Sequence, residues 1–109
     1  MQDRRKGEDR RSTNRYNVEV NVEWEVSESI RQNGTLSDLS FDGCFVLSNG
    51  DVEDGDNVKL FIPLGDGMKV QFDGRIANHV FEIGFGVKFL PLSQAQKEIL
   101  TKLVKESGG

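Results

Sequence analysis

The stretch Val18-Glu19-Val20-Asn21-Val22-Glu23-Trp24-Glu25-Val26 decides the fold of this chain. Apolar and polar residues alternate through it with a period of two. This is the pattern of a β-strand that buries one face and exposes the other. The sequence therefore predicts a strand whose valines and tryptophan belong to the core.

Further short strands are predicted after this one. A turn is expected either near Ser27-Glu28 or at Asn33-Gly34, and a strand then runs toward Leu39. Apolar alternation between turn residues marks the other strands, which are predicted near residues 44–47, 58–62, 68–72, 75–81 and 84–89. Six or so short strands at this spacing predict an all-β fold with a closed or nearly closed antiparallel barrel.

Two different segments flank the barrel, which is predicted over residues 17–91. Residues 1–16 are almost wholly polar and cannot bury enough surface to order themselves, so they predict a flexible arm. After Pro91, Ser93 and Gln96 fit a capping box, which predicts a short helix over residues 92–107. Its apolar stripe, expected to pack on the barrel, consists of Ala95, Ile99, Leu100, Leu103 and Val104. The 109 residues form a single domain in this prediction.

The composition restricts the possible chemistry, because the chain has one cysteine, Cys44, and one histidine, His79. A single thiol excludes an intrachain disulfide and a cysteine-only zinc site. Cys44 lies in an apolar run, so we expect a small core residue rather than a nucleophile activated by His79. No P-loop or dinucleotide fingerprint is present, and strand packing explains Gly84-Phe85-Gly86 better than a phosphate loop does. We therefore predict no enzyme, no metal site and no cofactor.

Charge is distributed unevenly along the chain. Residues 1–16 carry six basic and three acidic side chains, a net charge of +3, whereas the whole chain carries −4 and the remainder therefore −7. A basic arm on an acidic body favours a compact polyanion as partner and disfavours long nucleic acid or an anionic membrane. No segment approaches the ~20 apolar residues that cross a bilayer. The charged start Met1 to Lys6 does not fit a secretory signal, so a cytoplasmic location is expected.

The first motif with binding chemistry is Arg10-Arg11-Ser12-Thr13-Asn14-Arg15. A guanidinium group pairs bidentately with phosphate, matches the O6 and N7 edge of guanine, and stacks on a purine. Three arginines on one arm can therefore hold a ligand that carries both phosphates and purines. Taken alone, the motif is more typical of a solvated basic tail than of a binding site.

The second motif is Asp38-Leu39-Ser40-Phe41-Asp42-Gly43, at the end of a predicted strand. A carboxylate at Asp38 can accept hydrogen bonds from N1–H and N2–H of guanine, and the Ser40 hydroxyl can donate to phosphate or contact the base. Gly43 permits a close backbone approach or a positive φ. Taken alone, this motif is also typical of an ordinary serine turn between strands.

The combination of the two motifs is more specific than either alone. Arg-Arg-x-x-x-Arg directly before the first strand, with Asp-x-Ser-x-x-Gly one hairpin later, resembles the PilZ domain family. Gly84-Phe85-Gly86-Val87-Lys88-Phe89 resembles the closing strand of that family. The resemblance covers the chain from Arg10 to Val104 and implies a six-stranded barrel that binds cyclic di-GMP.

The resemblance also implies the roles of individual residues. Arg11 and Arg15 take the two arginine positions of the arm, and Arg10 before them favours an intercalated ligand dimer. Asp42 is a mild departure, because a second carboxylate there adds negative charge near the phosphates. The three positions on the barrel face are taken by Asp38, Ser40 and Gly43.

The function implied is that of a cyclic di-GMP receptor whose arm becomes ordered on binding and presents a new surface to a separate downstream protein. One alternative is a nucleotide-independent adaptor, which acts through protein contacts alone. A second is a small RNA-binding barrel. That use needs exposed aromatic side chains beside basic ones, whereas the aromatics here mostly fall on the apolar phases of strands.

Overall fold

The computed structural model describes residues 15–26 and 30–106, and within them the chain forms a closed antiparallel barrel with one helix. The strands follow one another around the barrel in the order β1-β2-β3-β6-β5-β4. The elements are β1 (Tyr16–Val26), β2 (Gln32–Leu39), β3 (Gly43–Leu47), β4 (Asn57–Pro63), β5 (Lys69–Val80), β6 (Gly84–Phe89) and α1 (Gln94–Glu106). The predicted six-stranded barrel and C-terminal helix are confirmed.

Strand β1 has the two faces that its alternating sequence predicts. Val18, Val22 and Trp24 are buried, while the polar residues between them are exposed or half-buried. The Trp24 ring packs edge-on against Phe85 with 4.8 Å between ring centroids. Its indole N–H donates to Ser48 Oγ at 3.2 Å, so the polar atom of this fully buried ring has a partner. β1 pairs with β2 on one side and β4 on the other, and it thereby closes the barrel.

The turn expected at Asn33-Gly34 is wrong, because both residues lie inside β2. Gly34 pairs with Val22 of β1. A Cβ on this glycine would lie 2.8 Å from Val46 Cγ1 and 3.2 Å from Trp24 Cδ1, so the glycine makes room for packing rather than for a turn. The chain reverses between Val26 and Gln32, and the alternative turn at Ser27-Glu28 lies outside the described residues.

Strand β5 also differs from the prediction, because it runs without a break from Lys69 to Val80. The sequence predicts two segments here, separated at Asp73-Gly74, and starts the first of them at Met68. Met68 instead lies in the turn before β5, where its carbonyl accepts a hydrogen bond from Leu64 N at 2.9 Å. Gly74 stays in the strand, and the glycine is explained by a close approach of β6.

Helix α1 begins at the predicted capping box. Ser93 Oγ accepts from Gln96 N at 3.1 Å, and Gln96 Oε1 accepts from Ser93 N at 2.8 Å. The predicted stripe packs on the barrel: Leu100 is buried, and Ile99, Leu103 and Val104 are half-buried against the core. Ala95 is exposed, so its place in the stripe is wrong. In the described part of the chain, no helix has the length and apolar character needed to span a membrane.

Candidate functional site

A cavity of about 500 Å³ opens on the barrel surface where β3, β5 and β6 lie beside the start of β1. We call it the face cavity. Three of the residues singled out in the sequence, Arg15, Ser40 and Gly43, line it. The other lining residues are Asp42, Cys44, Phe45, Ala77, Asn78, Gly86, Val87 and Lys88. The fold therefore brings part of the arginine motif and part of the second motif to one place, while Arg10 and Arg11 lie outside the described residues.

Ser40 holds the loop between β2 and β3 together. Its hydroxyl oxygen accepts hydrogen bonds from the backbone N–H groups of Asp42 and Gly43, each at 3.2 Å, and the hydroxyl donates to the Gly43 carbonyl at 3.2 Å. A hydroxyl has one donor and two acceptor lone pairs, so these three bonds use its full capacity. Ser40 is also buried, with an exposure of 5%. In this conformation its side chain fixes the loop.

Gly43 is where the loop meets β6. It pairs with Lys88, and a Cβ on it would lie 2.0 Å from the Val87 carbonyl oxygen. Its φ is not positive, so of the two roles expected for this glycine the structure has the close backbone approach. Phe89 N donates to the Asp42 carbonyl at 2.8 Å directly beside this contact. The C-terminal end of the loop is thus held against β6.

Asp38 reaches the outer surface because β2 contains a bulge. Leu36 is buried, and strict alternation would place Asp38 on the same inner face. The register shifts between Leu36 and Asp38, and Asp38 is half-buried and pairs with Phe45. Bulges re-aim side chains in this way. Asp38 does not line the face cavity itself, but it adjoins Phe45, which does.

A row of outward-facing residues crosses five strands at this site. In order they are Asn17, Asp38, Phe45, Gly86 and Asn78, and each is in register with the next. The row places a carboxylate, an aromatic ring, a bare backbone segment and an amide side by side. The sequence does not identify Asn78, because strict alternation would place it on the inner face with Ile76. A second bulge, between these two residues of β5, turns Asn78 to the outer face.

Two basic side chains border this row. Arg15 is exposed and directly precedes Tyr16, which pairs with Leu39, so the start of β1 lies beside the Ser40 loop. Lys88 is exposed on β6 and was not singled out from the sequence. The cavity therefore combines two cationic groups with the Asp42 carboxylate, and the Asp38 carboxylate adjoins it. It can bind a ligand that carries both anionic groups and hydrogen-bond donors.

Cys44 belongs to the core, as the sequence predicts. Its exposure is 3%. Burial raises the pKa of the Cys44 thiol, and the nearby Arg15 charge offsets this rise only in part. Cys44 pairs with Val87, whereas His79 pairs with Phe85. Cys44 and His79 are therefore not cross-strand neighbours. Among residues 15–26 and 30–106, no group of three His, Cys, Asp or Glu side chains is arranged to hold a metal ion.

Four of the nine aromatic side chains lie inside the barrel. Trp24, Phe72, Phe85 and Phe89 are buried, as their phases in the strands predict. Tyr16, Phe45 and Phe61 are half-buried, and Phe41 and Phe81 are exposed. Phe41 shares a neighbouring surface cavity with two lysines. Phe41 and Phe81 lie at opposite ends of β6, so the two exposed rings do not form the continuous stacking platform that single-strand binding uses.

Comparison with known proteins gives a family match over nearly the whole chain. The PilZ domain family matches residues 9–106, a range that includes Arg10 and Arg11. A search of curated proteins finds no match.

Three solved structures are similar in fold. The PilZ domain of CeSA from a cellulose synthesizing bacterium has a TM-score of 0.66 at 21% identity, covering 88% of this chain and 99% of that one. The PilZ domain with c-di-GMP of YcgR from Escherichia coli has a TM-score of 0.73 at 15% identity, covering 92% of each chain. The Bacillus subtilis inhibitor of motility, MotI/DgrA, has a TM-score of 0.63 at 16% identity, with 90% of this chain but 51% of that chain covered. At these identities the likeness shows the fold.

Proposed function

Since the chain belongs to the PilZ domain family, we propose that it is a receptor for cyclic di-GMP and that the face cavity is its binding site. The observation that carries this proposal is that Arg15, Ser40 and Gly43, which match motif positions of the family, line one cavity. Asp38 adjoins the same cavity through Phe45. The YcgR domain, which has the same fold, was solved with c-di-GMP.

In the proposed complex the cationic groups hold the phosphates and a guanine edge. Arg11 and Arg15 supply planar donor forks for phosphate and for O6 and N7 of guanine, and Arg10 favours a second, intercalated ligand. The Asp38 carboxylate accepts from N1–H and N2–H of a guanine. Ser40 contributes by holding the Gly43 backbone in place, because its hydroxyl is already fully used.

Signalling in this proposal follows from closure of residues 1–15, which precede β1, over the ligand. Fixing backbone costs about 1 to 2 kcal/mol per residue. Charge-assisted hydrogen bonds of about 1.5 to 3 kcal/mol each offset this cost. The newly formed surface is then available to a separate downstream protein in the cytoplasm.

Calorimetric titration of cyclic di-GMP tests the assignment. We expect Arg11→Ala and Asp38→Ala to bind at least about tenfold more weakly than the parent, since each loses a charge-assisted contact. Two matched controls lie away from the face cavity. Asp51→Ala removes an exposed carboxylate, and Arg31→Ala removes a guanidinium that stacks on Phe61 at 3.8 Å; both are expected to bind like the parent.

Two results would contradict the proposal. If Arg11→Ala and Asp38→Ala both bind as tightly as the parent, the site assignment is wrong. If the parent itself gives no heat at saturating ligand, the chain acts as a nucleotide-independent adaptor instead.

A further inference from the structure

Strands β3, β5 and β6 contain four glycines, and packing explains three of them. A Cβ on Gly43 would lie 2.0 Å from the Val87 carbonyl oxygen. A Cβ on Gly74 would lie 2.6 Å from Val87 Cγ1, and a Cβ on Gly84 would lie 2.1 Å from the Val46 carbonyl oxygen. These contacts are too short for any side chain. The three glycines are therefore required by the way the strands approach one another.

The fourth glycine, Gly86, has no such explanation. The nearest atoms to a Cβ built on it belong to Asn78, at 3.7 Å and beyond, which is ordinary van der Waals distance. Its φ is not positive either, so its backbone conformation is open to any residue. A glycine inside a strand lowers stability, because it loses more backbone entropy on folding and packs no side chain. A residue with a side chain at this position would therefore make the barrel more stable than glycine does.

Gly86 lies where a side chain would project into the face cavity. Its neighbours Phe85 and Val87 are buried, so position 86 faces outward, and it lines the cavity between Phe45 and Asn78. The Phe45 ring extends toward Gly84, since its Cε2 would lie 2.9 Å from a Cβ there. The surface over Gly86 is therefore left uncovered.

We propose that Gly86 is a ligand-binding residue whose bare backbone forms a flat floor for one planar purine of the ligand. The inference rests on the proposed function. The outward row gives the floor a polar group near each end, the Asp38 carboxylate beyond Phe45 and the Asn78 amide on the other side. A planar ring fits on such a floor, whereas a side chain at position 86 would occupy the space that the ring needs. A residue that breaks a local stability rule without a packing reason is typical of a functional site.

The inference predicts that stability and binding change in opposite directions. In Gly86→Val, a β-branched residue replaces glycine at an open strand position, so the ligand-free melting temperature should rise by roughly 2 to 6 °C. The same variant should bind cyclic di-GMP at least about tenfold more weakly, and Gly86→Ala should show a smaller change of the same kind. Gly84→Ala is the matched control on the same strand: its melting temperature should fall, because its Cβ collides with the Val46 carbonyl.

Melting curves and calorimetric titrations of the parent and the three variants decide the matter. Parent-like affinity in Gly86→Val, with the parent binding normally, would overturn this inference and leave the proposed function intact. A lower melting temperature in Gly86→Val would also overturn it, since the barrel itself would then need the glycine. No binding by the parent would overturn the proposed function, and this inference with it.

Discussion

Replacing Ser40 by alanine removes the hydroxyl at the centre of the β2–β3 loop. Two backbone N–H groups lose their acceptor, those of Asp42 and Gly43, while the Gly43 carbonyl keeps its second donor, Ser40 N at 2.9 Å. The two orphaned groups differ in environment. Asp42 is exposed and its N–H can bond to water, whereas Gly43 is buried against β6.

The size of the effect follows from that difference. An unsatisfied buried donor costs about 1 to 3 kcal/mol, and a hydrogen bond exchanged for water costs about 0.5 to 1.5 kcal/mol. We therefore expect the free energy of unfolding of Ser40→Ala to fall by about 1.5 to 4.5 kcal/mol. With a urea dependence of about 1 to 3 kcal/mol per M, the unfolding midpoint should fall by about 0.5 to 4.5 M.

Urea unfolding followed by tryptophan fluorescence measures this shift, because Trp24 is fully buried in the folded state. Asp38→Ala is the control, since a half-exposed surface carboxylate should change the midpoint little. Both variants should bind cyclic di-GMP more weakly, but Ser40→Ala alone should lose stability. If Ser40→Ala unfolds at the parent midpoint, the hydroxyl does not hold the loop. If it keeps that midpoint and still loses affinity, Ser40 contacts the ligand directly.

Three further outcomes are expected. Gly43→Ala should lower the melting temperature by at least about 5 °C and weaken ligand binding, because its Cβ would meet the Val87 carbonyl at 2.0 Å; an unchanged melting curve would contradict the close approach. Cys44 should react with a disulfide reagent at pH 8 only as fast as the protein unfolds, since burial raises its pKa; rapid labelling of the native protein would show an accessible thiolate. The hydrogen bond from Lys69 lowers the pKa of Glu23 from 4.5. The ionised Glu23 therefore stabilises the fold fully above its pKa in the unfolded chain, and this stabilisation is lost as the pH falls through its pKa in the folded protein. The drop in urea midpoint between pH 7 and pH 3 should therefore be smaller in Glu23→Gln, and an equal drop in both proteins would refute this.

Strands and helix caps are predictable from the sequence where the signal is local. The period of two from Val18 to Val26 is a property of neighbouring residues, and the structure keeps it. The Ser93 capping box is equally local and forms the two expected bonds. Asn33-Gly34 shows where local reasoning ends, because the glycine is required by the distant Trp24 and Val46 rather than by a turn.

The site was less predictable than the fold, because bulges and cross-strand contacts set its geometry. The motif identifies Asp38, yet only the bulge in β2 explains why its side chain is on the outer surface. Asn78 follows a comparable bulge in β5, which the sequence does not reveal. Strand packing was expected to explain both glycines of Gly84-Phe85-Gly86, and it explains only the first. These features depend on which strands are neighbours, and that information is absent from any single segment.

Closure of the barrel limits how another protein can recognise this one. Each of the six described strands pairs with a strand on both sides, so no strand among them forms an edge along its whole length. The pairing of β1 with β4 covers only Glu23–Val26, so the first part of β1 has a neighbour among the described strands on one side only. A partner that adds a strand of its own therefore has only a short stretch to pair with unless it separates two paired strands, and more extensive recognition must use side chains displayed on the outer face, on the loops or on α1.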